Sequence, residues 1–377
     1  MKVLHIITRM NTGGPAVFLD HLTKSMADLG TESIIAYGYC ESNETDYTDT
    51  HQFEAQLVKI ESLHRTLNPI DDIRAFFQIR RLITEIRPDL VNTYTSKAGV
   101  LGRLAAKTVS KDLPVVHTYL GHLIYGYFSR PKILVFTFIE KIMSLFTSAA
   151  IAITSETKNS LLCEGVGRNL KWEVIRIGLP DEDITVNLNY SEQRLKILWV
   201  GRFTDIKNPH LAIETLKELL KRRPGVFELT MIGNGELYGE IVNLSKGLPV
   251  NFKGWVTDPF DNIDEFDLLM MTSKNEGLPL VILEAAKHAR PTISTNVGGV
   301  SEFIEDDKTG FLVENTSQDL VDKLLYLSKN KKELFEVGQN AKDLLSQEFS
   351  SEFMADKHLS LYLDLIKSQG YKSKSAS

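Results

Sequence analysis

Short, unbroken apolar runs rich in β-branched residues recur along this chain, each followed by a helical pattern or a turn. A strand solvated on one face alternates apolar with polar, whereas a strand covered by helices on both faces is apolar throughout. The runs Val3–Thr8, Ser33–Tyr39, Leu57–Ile60, Leu90–Tyr94, Val115–Tyr119, Ala150–Thr154 and Glu173–Ile177 form a first series. Helical patterns at Pro15–Leu29, Asp71–Ile86, Lys97–Val109 and Ile133–Phe146 lie between them. A second series comprises Lys196–Val200, Leu229–Ile232, Val250–Phe252, Leu268–Thr272, Thr292–Thr295 and Phe311–Val313. Gly178-Leu179-Pro180-Asp181-Glu182-Asp183 and the polar stretch to Arg194 read as the linker between the series. The pattern predicts an α/β chain of two doubly wound, Rossmann-like domains facing a cleft, over residues 1–182 and 183–350. A last helix, Glu352–Ile366, falls in a third segment, 351–377, that ends in a short polar tail.

Length agrees, since 377 residues is more than one ordinary core accommodates. A net charge of −6 argues against a protein held on nucleic acid by its overall field. The charge is uneven: residues 1–180 carry 20 Lys/Arg against 18 Asp/Glu, leaving −8 on the remainder. Cys40 and Cys163 have no metal-ligand spacing and suit a reducing compartment. The opening Met-Lys-Val-Leu-His-Ile-Ile-Thr reads as a buried strand, not a signal peptide. The most membrane-like window, Ile133–Ile153, is interrupted by Glu140 and Lys141. The expected location is the cytoplasm. The acidic segment Glu41–Asp49 is expected to be a mobile surface loop.

The most informative stretch runs from Ser273 to Ala285 and follows a predicted strand. Pro279 suits the first turn of a helix, which would leave the amides of Gly277, Leu278, Leu280 and Val281 at a free helix N-terminus. Unpaired amides and the helix dipole there favour an anion such as a diphosphate. Glu276 in the loop and Glu284 in the helix are natural acceptors for sugar or ribose hydroxyls. Gly201-Arg202-Phe203-Thr204-Asp205-Ile206-Lys207 also follows a strand directly, at the carboxyl end where open α/β sheets bind ligands. Arg202 offers a forked contact to phosphate and Lys207 a compact charge, so the two can offset a diphosphate without a metal. Gly13-Gly14 joins the first strand to the first helix, and Gly254-Trp255-Val256 follows a strand of the second domain. By itself each is only a turn.

His117 and His122 end the fifth strand, where each is either a cleft residue or a satisfied core histidine. Asp181-Glu182-Asp183 imitates a metal-binding Asp-x-Asp but lies in the linker, so no metal site is expected. Ser155 and Ser273 lack the Gly-x-Ser-x-Gly elbow of a hydrolase, and there is no Walker lysine.

In this order and spacing the stretches resemble the retaining glycosyltransferases of family 4, which have the GT-B fold. The resemblance covers nearly the whole chain. It peaks at Glu276-Gly277-Leu278-Pro279 with Glu284-Ala285, and continues in Thr295-Asn296-Val297-Gly298-Gly299 and Gly310-Phe311-Leu312-Val313. Ser96-Lys97-Ala98-Gly99 through Arg103, and Gly121-His122 with Gly126-Tyr127-Phe128-Ser129, look like the branch that builds bacterial capsule and O-antigen. The resemblance implies a last helix that crosses back to the first domain. It also implies transfer of a hexose or N-acetylhexosamine from a nucleoside-diphosphate sugar, expected to be a UDP-sugar, to a glycan or polyprenyl-diphosphate-linked acceptor. Arg202, Lys207 and the amides near Gly277 and Leu278 would hold the diphosphate, and Glu284 the ribose. Glu276 would contact the sugar, Gly254-Trp255-Val256 the base, and Gly13-Gly14 would close over the phosphates. No cofactor or metal is implied.

The family commonly has a histidine three residues after the position of His117, and this chain has Leu120 there. Either His117 or His122 takes over that contact, or it is absent. Two other readings stay open: a sugar-nucleotide epimerase of the same shape, and a non-catalytic sugar-nucleotide-binding protein. The acceptor is expected on the first domain. Its basic helices and aromatic residues suit an anionic membrane surface, with the protein peripheral on the inner face.

Overall fold

A computed structural model of the chain describes residues 1–41, 44–121, 130–180, 184, 194–256 and 258–368. These fall into two units. The first holds 1–41, 44–121, 130–180 and 350–368, and the second holds 184, 194–256 and 258–349.

The first unit contains β1 (Lys2–Arg9), α1 (Gly14–Asp28), β2 (Glu32–Gly38), β3 (Gln56–Lys59), α2 (Pro69–Ile86), β4 (Leu90–Tyr94), α3 (Ser96–Val109) and β5 (Val115–Tyr119). It continues through α4 (Arg130–Met143), β6 (Ala149–Ala152), α5 (Ser155–Cys163) and β7 (Lys171–Val174). The strands form one sheet in the order β3-β2-β1-β4-β5-β6-β7, every pairing parallel. Residues of β4, β5 and β6 are buried throughout, which is why those runs lack alternation. Asn68 caps α2 by accepting the Ile70 N–H, and Pro69 fills its first position.

The second unit contains β8 (Leu195–Val200), α6 (Pro209–Arg222), β9 (Phe227–Ile232), α7 (Tyr238–Leu244), β10 (Val250–Gly254) and β11 (Leu268–Met271). It ends with α8 (Leu280–Lys287), β12 (Thr292–Thr295), β13 (Phe311–Val313), α9 (Ser317–Leu327) and α10 (Lys331–Glu348). Its sheet is again all parallel, in the order β10-β9-β8-β11-β12-β13. Trp199, Phe203, Phe227, Phe311 and aliphatic residues of α6 and α9 fill the core. In each sheet the strand order reverses once, between β1 and β4 and between β8 and β11. Such a reversal opens a crevice at the carboxyl ends of the strands, where open α/β sheets take ligands.

The last helix, α11 (Ser351–Ser368), belongs to the first unit and packs on α1. Its Tyr362 hydroxyl accepts from Asn92 Nδ2 at 2.7 Å, and Ser351 Oγ accepts from Ser25 Oγ at 2.8 Å. One expectation is corrected. The described part of the acidic segment 41–49 is tied down, because its carboxylates meet cations. Arg9 pairs with Glu44 at 2.7 Å and Lys59 with Asp46 at 3.3 Å. The Thr12 N–H donates to the Thr45 carbonyl at 2.9 Å, and Asp46 caps the turn Tyr47–Asp49.

Candidate functional site

The loops after β8 and β11 lie side by side because those strands are parallel neighbours, with Leu268 opposite Ile197. Buried Thr272 stitches the two loops together. Its hydroxyl accepts from Trp199 Nε1 at 3.0 Å and donates to the Asn208 carbonyl at 2.9 Å. The Lys274 N–H donates to the Ile206 carbonyl at 2.8 Å. At the centre Lys207 Nζ lies 2.5 Å from Glu276 Oε1, which also accepts from Ser273 Oγ at 2.6 Å. Both members of the ion pair are shielded, with side chains 21% and 10% exposed, so the attraction is less screened than in a surface pair.

A third loop supports this pair from behind. Gly298 has φ of +58°, and a Cβ there would lie 1.8 Å from the Glu276 carbonyl oxygen. Only glycine fits so close to another backbone. The Gly299 N–H donates to the same carbonyl at 3.1 Å, and Thr295 Oγ1 donates to the Ser273 carbonyl at 2.6 Å. Glu276 is therefore fixed through both its side chain and its backbone.

Arg202, in the loop after β8, is exposed and makes no ion pair or side-chain hydrogen bond among the described residues. It is a cation with open coordination beside one already engaged. Pro279 differs from expectation. With ψ of 125° it is the N-cap of α8, not part of its first turn, and the helix starts at Leu280. Leu280 and Val281 are thus the first two helical residues, whose amides have no partner within the helix. Glu284 is the fifth residue of α8 and half-buried. Gly254 ends β10 two strands away from β8, its carbonyl accepting the Gly233 N–H at 2.8 Å. Trp255 beyond it is 53% exposed, and Val256 is half-buried. All these positions follow the carboxyl ends of parallel strands and so share one edge of the second sheet.

In the first unit, Gly13 is the N-cap of α1 at φ of 155°, and Gly14 is the helix's first residue. His117 is buried on β5, with Nδ1 2.8 Å from Thr93 Oγ1. Burial, aided by the Arg103 guanidinium, lowers its pKa to about 3. This is the setting of a satisfied core histidine, which corrects the reading of His117 as a cleft residue. His122 lies outside the described residues. Direct reasoning from sequence missed Ser273, Thr272 and Thr295. The available signal for Ser273 was its position at the end of a strand, three residues before Glu276.

A cationic loop, an orienting carboxylate and a helix start at the switch point of one of two parallel sheets are the features of a GT-B glycosyltransferase. Residues 12–185 match the Glycosyltransferase Family 4 sequence profile, and residues 194–330 match that of Glycosyl transferases group 1. An Escherichia coli UDP-Gal:alpha-D-GlcNAc-diphosphoundecaprenol alpha-1,3-galactosyltransferase is 27% identical over 342 residues, covering 85% of this chain and 86% of its own. The capsular polysaccharide biosynthesis glycosyltransferase CapM of Staphylococcus aureus is 23% identical over 344 residues, covering 86% and 89%. The crystal structure of Anabaena Alr3699/HepE with UDP and glucose superposes with a TM-score of 0.76 at 20% identity, over 96% of this chain and 99% of that one. The chain belongs to this glycosyltransferase family, and its relatives serve bacterial capsule and O-antigen synthesis.

Proposed function

We propose that this glycosyltransferase is retaining, and that it moves a hexose or N-acetylhexosamine from a UDP-sugar to a glycan or polyprenyl-diphosphate-linked acceptor in surface polysaccharide assembly. The observation that carries the reading is the pairing of Lys207 with Glu276 beside uncommitted Arg202, at the β8–β11 switch point. The relatives support the substrate classes. The Escherichia coli enzyme is named for a UDP-galactose donor and a diphosphoundecaprenol-linked acceptor, and HepE was crystallised with UDP.

In this reading Arg202, Lys207 and the amides at Gly277 and Leu278 grip the donor diphosphate, Glu284 takes the ribose hydroxyls, and Glu276 takes the sugar. Trp255 and its neighbours Gly254 and Val256 meet the base. The bond from the anomeric carbon to the diphosphate oxygen breaks, leaving an oxocarbenium-like sugar and negative charge on UDP. The acceptor oxygen bonds to the anomeric carbon on the same face, and its proton passes to the departing phosphate. Catalysis then comes mainly from preorganised positive charge at the diphosphate. Because two side-chain cations supply that charge, the reaction is proposed to need no divalent metal. The acceptor is assigned to the first unit, with the protein peripheral on the cytoplasmic face of the membrane.

A panel of UDP-, GDP- and ADP-sugars, followed by the anomeric configuration of the product, tests the reading. Arg202→Ala should lower turnover by on the order of 10² to 10³, the usual loss for one such donor. Unchanged turnover sinks the site assignment, and an inverted linkage sinks the retaining mechanism.

A further inference from the structure

Helix α4 packs Ile133 and Phe136 against the core, buries a carboxylate beside them, and exposes a second apolar face. The side turned inward carries Thr137, Glu140 and Met143, all buried. The side turned outward carries Leu134, Val135, Phe138, Ile139 and Ile142, and Leu145 continues it in the following turn. Leu134, Phe138 and Leu145 are 67%, 64% and 80% exposed. Scattered exposed leucines are ordinary, but a contiguous apolar stripe marks a surface that something covers.

The cause lies across the helix pair. Arg103 on α3 is fully buried and donates to both oxygens of Glu140 at 2.8 and 3.0 Å, while the Tyr119 hydroxyl donates to Oε2 at 2.8 Å. A buried guanidinium requires its carboxylate, so Glu140 must face inward. Residues two positions from it lie about 200° around the helix, so Phe138 and Ile142 must face out.

The charge around the stripe names the occupant. Lys132 and Lys141 of α4 are exposed, and Glu140, turned inward, is the only carboxylate in α3 and α4 together. Two copies meeting through this face would crowd lysines with no acid on either helix to pair them. Among the described residues no helix is long and apolar enough to cross a membrane. An apolar face flanked by lysines instead suits the plane of a lipid headgroup layer.

We propose that the outward face of α4 docks on an anionic lipid surface, with its apolar side chains inserted at headgroup depth and Lys132 and Lys141 against lipid phosphates. This deepens the reading of a membrane-held acceptor, and rests on that reading for its purpose. The test is flotation of the full chain with vesicles of phosphatidylcholine, with and without phosphatidylglycerol, at low and high salt. The chain should float with the anionic vesicles and much less with the neutral ones, and salt should weaken the binding. Leu134→Ser with Phe138→Ser should weaken binding at least about tenfold with an unchanged thermal midpoint, since both side chains are exposed. Lys132→Gln with Lys141→Gln should flatten the salt dependence. Failure of the unaltered chain to float, or flotation of the serine pair equal to it, overturns the proposal. So does a dimer that the serine pair splits, which would assign the face to self-association. The shift in thermal midpoint on adding UDP, measured without lipid, reports the donor site separately. Vesicle failure with an intact UDP shift overturns the docking alone, and the converse overturns the donor reading alone.

Discussion

Replacing Glu140 by glutamine removes one charge and almost no volume, so its effect isolates the electrostatics that orient α4. Arg103 and Glu140 have side chains 0% and 1% exposed, so neither charge is solvated in the folded chain. The Arg103 Nε–H is already committed to the Gly99 carbonyl at 2.8 Å, which holds the guanidinium in place when its partner changes. Unit charges at about 4 Å attract by about 4 kcal/mol at an effective dielectric of about 20. Breaking a buried pair by removing one partner costs about 3–5 kcal/mol. Glu140→Gln should therefore destabilise the first unit by about that amount. Arg103→Met combined with Glu140→Leu removes both charges and orphans only the buried Tyr119 hydroxyl, so it should be clearly less destabilised than Glu140→Gln.

Urea unfolding followed by fluorescence measures both, because Trp172 is the first unit's only tryptophan and stacks on Tyr119 at 5.5 Å. A pH series adds a second check. Burial pushes the Glu140 carboxyl up, but the Arg103 guanidinium, with His117 and the Tyr119 hydrogen bond, outweighs it and holds the pKa below the ordinary 4.5. A depressed folded pKa contributes stability that is complete above the unfolded value and lost as pH falls through the folded one. That acid-side loss should disappear from the Glu140→Gln series. A cost below about 1 kcal/mol for Glu140→Gln, or a double variant as unstable as the single, would refute the claim that this pair orients the helix.

Two further outcomes follow from the site and from α11. Gly298→Ala and Gly30→Ala both force alanine into a left-handed backbone, at φ of +58° and +72°, but only at Gly298 does the new Cβ meet the Glu276 carbonyl. The first should weaken UDP binding at least tenfold, an estimate of about 1.4 kcal/mol, and the second should leave it unchanged; equal effects would disprove the crowding. Burial lowers His5 to about 3, with His358 contributing, and lowers His358 to about 4. Both stay neutral when folded, so the stability they contribute is complete above about 6.5 and is lost as pH falls towards 4 and then 3. The protection of α11 amides, measured relative to their intrinsic exchange rates at each pH, should therefore fall over that range. Protection in α11 that stays constant with pH after this correction would count against the assignment.

Most of the scaffold was legible because strands covered on both faces carry few charged residues and lack the regular apolar–polar alternation that a solvated face imposes. Val115–Tyr119 and Thr292–Thr295 were read with the boundaries they have in the fold. The misreadings share a physical cause, which is pairing between residues distant in sequence. Glu41–Asp49 looked like a solvated acidic loop because nothing local shows that Arg9 and Lys59 reach its carboxylates. His117 lies in the strand that leads to Gly121-His122, so it was open to a reading as a cleft residue, but it is the central residue of β5. Its environment is set by Thr93 and Arg103 on neighbouring elements. The apolar content of 133–146 suggested a helix and carried no information on which face turns inward, because that choice belongs to Arg103.

The candidate site illustrates the same limit from the other side. The sequence assigns Lys207 and Glu276 to loops after two separate strands, 69 residues apart, and each alone is an ordinary surface charge. Their meeting depends on β8 and β11 being parallel neighbours, and that adjacency is a property of sheet order. Once adjacent, the loops have little freedom: Thr272 ties their backbones, Gly298 admits the Glu276 carbonyl, and Ser273 fixes its carboxylate. In the proposed reading, an anion entering there would meet Arg202 unpaired and would compete with Glu276 for Lys207. The carboxylate displaced from Lys207 would remain hydrogen-bonded to Ser273, held for a neutral, hydroxyl-bearing group, so one ion pair can couple the phosphate end of a ligand to its sugar end.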